Sequence, residues 1–247
     1  METIICNDPQ DLGKQSGDYA IKQLQGLTTE QDEVNIILAT GASQFETLKV
    51  LATGNDIDWS KVNMFHLDEY IGIDNTHPAS FCKYLQERFV SLVPTLKAVH
   101  LIDPNDFDSP QACCDHFGAI ISQVDIDIAL VGIGENGHMA FNDPPADFET
   151  KDAYIVVDLD EPCRKQQMGE GWFATLDDVP KQAISMSINE VMRAKEIVCS
   201  VPDARKAQAV KDTVENDINP NYPSTIIKNH SACKLYLDKE SASLLSQ

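Results

Sequence analysis

Twelve consecutive residues, GIGENGHMAFND from Gly132 to Asp143, hold three glycines, a histidine and a carboxylate. They follow an apolar run, Ile126 to Val131, that reads as a buried strand. Glycines bring backbone close to a small ligand. His138 and Asp143 then point into the same space, and an imidazole titrating near neutrality can move a proton there. The glycines Gly132, Gly134 and Gly137 also spell the Gly-x-Gly-x-x-Gly of dinucleotide sites. That motif needs a helix to start at the glycines, with its amides facing a pyrophosphate. Asn142-Asp143-Pro144-Pro145 ends any helix within about two turns. The loop is read as a small-ligand site instead.

The elements that must position this loop alternate in type. Pro9 to Gln25 reads as a helix with Asp8 as N-cap and proline at its first position. Val34 to Leu38 is a strand, Gln44 to Thr53 a helix and Val62 to Leu67 a strand. His77-Pro78-Ala79-Ser80 then caps a helix running to about Val90, with His77 read as a capping or surface residue. Ala98 to Leu101 is a weak strand, and Gln111 to Gln123 a helix leading back to the central strand. Beyond the loop come a strand (Ala153 to Val157) and a helix (Glu161 to Met168). Ile184 to Asn189 is too short for its period to choose between strand and helix. Glu196 to Val201 is a strand, Ala204 to Val214 a helix and Cys233 to Leu237 a last strand. This alternation predicts an α/β fold with a mostly parallel sheet flanked by helices. No repeat or low-complexity linker interrupts residues 1–247, so one domain is expected.

Two further stretches could serve a ligand. Strand, small-residue turn and helix start meet at Ala39-Thr40-Gly41-Ala42-Ser43, which is either an anion cradle or an ordinary connection. Arg205 and Lys206 lie in the first turn of a helix, where cations oppose the helix dipole; an anion docking there would explain them. Asp68-Glu69 follows a strand, at the edge where open α/β sheets bind ligands, although two acids could equally be a solvated loop.

Composition narrows the partners. With 39 acidic and 19 basic residues the formal charge is −20, which argues against a nucleic-acid or anionic-membrane surface. No apolar run reaches the roughly 18 residues of a bilayer span. The start, METIICNDPQ, does not read as a signal peptide. Seven cysteines without a C-x-x-C pair fit a reduced, cytoplasmic protein with no zinc site.

Three blocks together are more specific than any alone: LATGAS (Leu38–Ser43), FHLDEYIG (Phe65–Gly72) with HPAS (His77–Ser80), and GIGENGHMAFNDP (Gly132–Pro144). They resemble the glucosamine-6-phosphate deaminase/isomerase family, which includes the related 6-phosphogluconolactonases. The resemblance extends through VPDARKA (Val201–Ala207). It implies a three-layer α/β/α, modified Rossmann-like fold. The implied reaction converts glucosamine 6-phosphate and water to fructose 6-phosphate and ammonia, with no metal, nucleotide or redox cofactor. It also implies that Asp68 is the general base and that His138 assists ring opening, supported by Asn136 and Asp143. Thr40, Gly41, Ala42, Ser43 and Lys206 would bind the phosphate.

Those residue types suit the chemistry. A buried carboxylate can carry a proton between adjacent carbons if its pKa rises toward working pH. A carboxylate beside an imidazole holds its tautomer.

The sequence also departs from the family pattern. Asp143 stands where Glu is usual, leaving the histidine's partner about 1–1.5 Å short unless the loop shifts. The family's arginine before a Phe-Phe or Tyr-Phe pair has no counterpart in CRKQQMGEGWF (Cys163–Phe173); Arg164 matches a different position. No segment matches an allosteric amino-sugar site. A lactonase, a galactosamine-6-phosphate enzyme and a non-catalytic sugar-phosphate binder are the alternatives, and a homo-oligomer is compatible with all of them.

Overall fold

The computed structural model describes residues 1–246. The chain runs β1 (Glu2–Cys6), α1 (Pro9–Glu30), β2 (Val34–Leu38), α2 (Phe45–Leu51), β3 (Val62–His66), β4 (Asp68–Tyr70), α3 (Phe81–Arg88), β5 (Ala98–His100), α4 (Pro110–Ile121) and β6 (Ile128–Val131). It continues β7 (Tyr154–Asp158), α5 (Glu161–Gly169), β8 (Gln182–Met186), α6 (Ile188–Met192), β9 (Glu196–Val201), α7 (Ala207–Glu215) and β10 (Cys233–Asp238).

Seven strands pair in parallel in the order β1-β10-β9-β6-β2-β3-β5. β2 and β3 are buried along their whole length, as strands covered on both faces must be. Their alternation divides the core. Ile37, Phe65, Ala129 and Val131 belong to the apolar cluster on one face. Ile36, Leu38, Met64, Ile128 and Leu130 belong to the cluster on the other. This is the expected Rossmann-like α/β fold.

The strand order reverses between β2 and β6, which pair from Ile36–Ile128 to Leu38–Leu130. In an open parallel sheet the loops leaving such a switch point splay apart and leave a crevice. The loops after β2 and β6 are the two glycine-containing stretches, and β9 beside β6 adds the Pro202–Lys206 turn. The positions of all three follow from the topology.

Local signals held where a cap was legible. The Asp8 carboxylate accepts the Asp11 amide at 2.8 Å, and Ser80 caps α3 by accepting the Lys83 amide at 3.2 Å. His77 accepts the Ala79 amide and stacks on Phe173, so it is a loop-capping residue. The undecided segment splits at Ser187, whose hydroxyl accepts the Glu190 amide, ending β8 before it and opening α6 after it. Two features were not anticipated. β1 is a short, largely exposed edge strand that pairs with β10. A second, antiparallel sheet, β4-β8-β7, stands apart from the main one. Its own core is aromatic: Tyr70, Phe81, Phe141 and Phe173 pack around Leu159, Val179 and Ala183. Among the described residues no helix is long and apolar enough to cross a membrane.

Candidate active site

A cleft of about 250 Å³ opens at the switch point, a size suited to one small metabolite. No helix starts at Gly132–Gly137; the chain turns there and bridges Met139 to Asn142, so a pyrophosphate would find no helix amides. The dinucleotide reading fails on geometry.

One end of the cleft gathers side chains whose chemistry suits proton transfer. After β3 the chain passes directly into β4, and strand alternation sends the adjacent acids Asp68 and Glu69 opposite ways. Asp68 lines the cleft, is 6% exposed and, among the described residues, has no hydrogen bond to its carboxylate. Burial, followed by the neighbouring Glu69 charge, raises its pKa well above the ordinary value. Glu69 turns away and accepts from the Tyr70, Phe81 and Cys82 amides and the Ser80 hydroxyl. Burial lifts its pKa to about 7 against the pull of those four donors. Glu69 therefore anchors the start of α3, leaving Asp68 as the carboxylate free to act.

The β6 loop brings the imidazole. A Cβ at Gly134 would collide with the His138 ring, so glycine is required there for the ring to lie over the backbone. The His138 Nδ1 lies 3.1 Å from Asp143 Oδ1. The same oxygen accepts from the Asn136 amide group at 3.0 Å, and the Asn136 Oδ1 accepts the His138 backbone N–H at 3.0 Å. The shorter Asp143 side chain has therefore not lost its distance to the histidine. It has lost alignment: Nδ1 is buried without a well-directed hydrogen bond. Burial pushes the Asp143 pKa up, but contacts from His138, Asn136 and the Asp160 amide outweigh it and hold the carboxylate below its usual range.

Cys163 completes this group, its sulfur lying within 4.8 Å of donor atoms on His138 and Asp143. Burial and then the Asp143 charge raise its thiol far above the ordinary range. Asn142 fastens the loop to β8, donating to the carbonyls of Met139 and Met186 at 2.8 Å each.

The other end gathers groups whose chemistry suits an anion. Thr40, Gly41, Ala42 and Ser43 line it, and the loop turns at Gly41 with φ of 87°, a conformation natural to glycine. The Gly41 carbonyl is held by the Tyr84 hydroxyl at 3.0 Å. Opposite, Asp203 sits at φ 88°, ψ 134°, a strained position for a residue with a Cβ. Its carboxylate accepts from the Arg205 amide and guanidinium at 2.9 Å each. Lys206 is 5% exposed, lines the cleft and is not ion-paired among the described residues. Burial lowers its pKa, as expected of an ammonium awaiting a counter-charge.

The structure thus brings together Asp68, His138, the Thr40–Ser43 turn and Lys206 as lining residues. Asn136 and Asp143 stand behind His138, as supporting residues should. Arg205, noted with Lys206 as a cation awaiting an anion, also lines the cleft, while three polar lining residues were not singled out from sequence: Gln166, Gln167 and Glu170, on one side of α5 and just past its end. The α5 spacing i, i+1, i+4 is a helical face, a signal that existed but could not be assigned without knowing what the helix faces. Arg164 points away and donates to the carbonyls of Leu176 and Val179; it braces a loop and offers nothing to a phosphate.

The family described as glucosamine-6-phosphate isomerases/6-phosphogluconolactonase matches residues 7–236. The chain belongs to that family. A glucosamine-6-phosphate deaminase of Exiguobacterium sibiricum is 34% identical, covering 100% of this chain and 94% of its own. A solved glucosamine-6-phosphate deaminase, described as monomeric, superposes with a TM-score of 0.87 at 26% identity, covering 99% of this chain and 100% of that one. The 6-phosphogluconolactonase of Trypanosoma brucei superposes at a TM-score of 0.81 with 16% identity, over 99% and 98%, a likeness of fold.

Proposed function

We propose that this chain, as a single domain, is a glucosamine-6-phosphate deaminase: an enzyme that takes glucosamine 6-phosphate and water to fructose 6-phosphate and ammonia. The observation that carries this reading is the separation of Asp68 from every charged partner while His138 keeps one. An isomerase needs one carboxylate that exchanges a proton with carbon and one imidazole that exchanges protons with oxygen.

In the assigned roles, the phosphate sits in the turn Thr40-Gly41-Ala42-Ser43 against Lys206. His138, oriented by Asp143 and Asn136, shuttles a proton between the ring oxygen and the anomeric hydroxyl and opens the sugar. Asp68 removes the proton at C2 and returns it at C1, which leaves an imine at C2. Water adds to that carbon and ammonia departs, giving the ketose. The desolvated Asp68 suits the step, because a base with a raised pKa takes a carbon-bound proton more readily. Every residue named comes from one chain. Seven free cysteines support action in the reducing cytoplasm.

The test is ammonia release from glucosamine 6-phosphate with coupled detection of fructose 6-phosphate, beside a parallel sample of 6-phosphogluconolactone. Both products in equal amounts are expected. Lactone hydrolysis alone would move the chain to the other branch of its family. Binding without turnover, unchanged by Asp68→Asn, would make it a sugar-phosphate sensor.

A further inference from the structure

One buried amide in the cleft has no role in the reaction as described. Gln167 lies on α5, is 5% exposed and lines the cleft. Its Oε1 is buried without a hydrogen-bond partner, and among the described residues its Nε2 has none either. A buried amide left unpaired costs stability, so a ligand group that pairs it gains correspondingly. Its neighbour Gln166 is the contrast. It is equally buried but internally satisfied, accepting the Glu135 amide at 2.8 Å and donating to Glu170 at 2.9 Å.

The position of Gln167 along the helix says what it would meet. Cys163, one turn before it, touches the His138–Asp143 pair. Glu170, about one turn after it, lies near enough to Lys206 and Arg205 for its charge to act on both. From Cys163 to Glu170 is roughly 10 Å along a helix axis. α5 therefore runs beside the bound sugar from its reacting end to its phosphate, with Gln167 at the middle. We infer that Gln167 hydrogen-bonds the mid-chain hydroxyls, at C3 and C4 of the sugar phosphate, and selects the configuration at C4. The inference rests on the deaminase reading and adds the residue that separates glucosamine 6-phosphate from its C4 epimer. An amide that must pair with a hydroxyl discriminates strongly, because the wrong epimer leaves it buried and unpaired.

The experiment measures kcat/KM of the intact protein and of Gln167→Leu and Gln167→Met on glucosamine 6-phosphate and galactosamine 6-phosphate, with Lys206→Ala as control. The wild-type chain is expected to favour one epimer by at least about tenfold. Both Gln167 variants should lose about 10–100-fold on that epimer and compress the preference to within about threefold. Lys206→Ala should weaken both epimers alike. Because the Gln167 amide holds no protein partner, the variants should melt no lower than wild type, and a fall in Tm with equal loss on both epimers would make the residue structural. Equal wild-type rates on the two epimers, or an undiminished preference in both variants, would overturn the inference. Silence of the wild-type chain on both would instead remove the deaminase reading beneath it.

Discussion

The two ends of the cleft solve opposite electrostatic problems. At the Asp68 end the protein withholds partners: among the described residues Asp68 has neither a cation nor a hydrogen bond, and its raised pKa follows from burial and then from the Glu69 charge. At the anion end it surrounds charge with charge, since Arg205 is paired to Asp203 and approaches Glu135, and Glu170 lies near Lys206. The contrast teaches that a carboxylate becomes a base through isolation, while an anion site in a chain of net charge −20 must keep its cations from being neutralised by the protein itself. Among the described residues, Lys206 is buried at this end without an ion pair.

Changes at the two ends should therefore fail differently. Asp68→Asn removes the base and should lower kcat by about 10²–10⁴-fold with sugar-phosphate binding retained in calorimetry; near-normal rates would end its assignment. The same variant carries a stability signature. Burial favours the protonated Asp68, so this side chain supports folding at low pH and opposes it as pH rises through its elevated folded pKa. Asn never ionises, so the Tm advantage of Asp68→Asn over wild type should widen as pH rises above the ordinary carboxylate range.

Lys206→Ala should raise KM about 10–100-fold, the worth of one charge-assisted hydrogen bond, with kcat little changed. A loss confined to kcat would place Lys206 in the chemistry instead. Asp143→Glu tests alignment rather than charge: if the poor direction of the His138 contact limits ring opening, kcat should rise by up to about tenfold, and no gain would mean another step is slower. Glu170→Gln, the mildest change, removes a negative charge facing the phosphate and should lower KM about two- to threefold, less at high salt.

How much of this could be read in advance divides along the same line. Residues that act through local chain geometry were legible: the turn at Gly41, the loop from Gly132 to Asp143, and Lys206 at a helix start each carry their signal within a few neighbours. The parallel sheet was legible too, because strands buried on both faces read as continuous apolar runs. What escaped was set by partners far along the chain. From the residues alone, without the family resemblance that pointed to Asp68, whether Asp68 or Glu69 faced the cleft depended on β4 pairing with β8, residues more than a hundred positions away. In the antiparallel sheet β7 was read as a strand, but β4 has only three residues and its pairing with β8 is set across the chain, while β1 is a largely exposed edge strand without the whole-length burial of β2 and β3. Gln167 looked like one more polar residue on an amphipathic helix until the helix was seen to wall the cleft.

The small β4-β8-β7 sheet has a consequence for how such a protein could change its trade. It carries Asp68 on one strand and leads from β7 straight into α5, whereas the turn at Thr40–Ser43 and Lys206 hang from the large sheet. On the proposed roles, the handle for phosphate and the imidazole share the large sheet, while the carboxylate base and the helix that would face the middle of the sugar belong to the small one. Edits to the smaller support could then retune the base and the choice of sugar while the grip on phosphate passes down untouched.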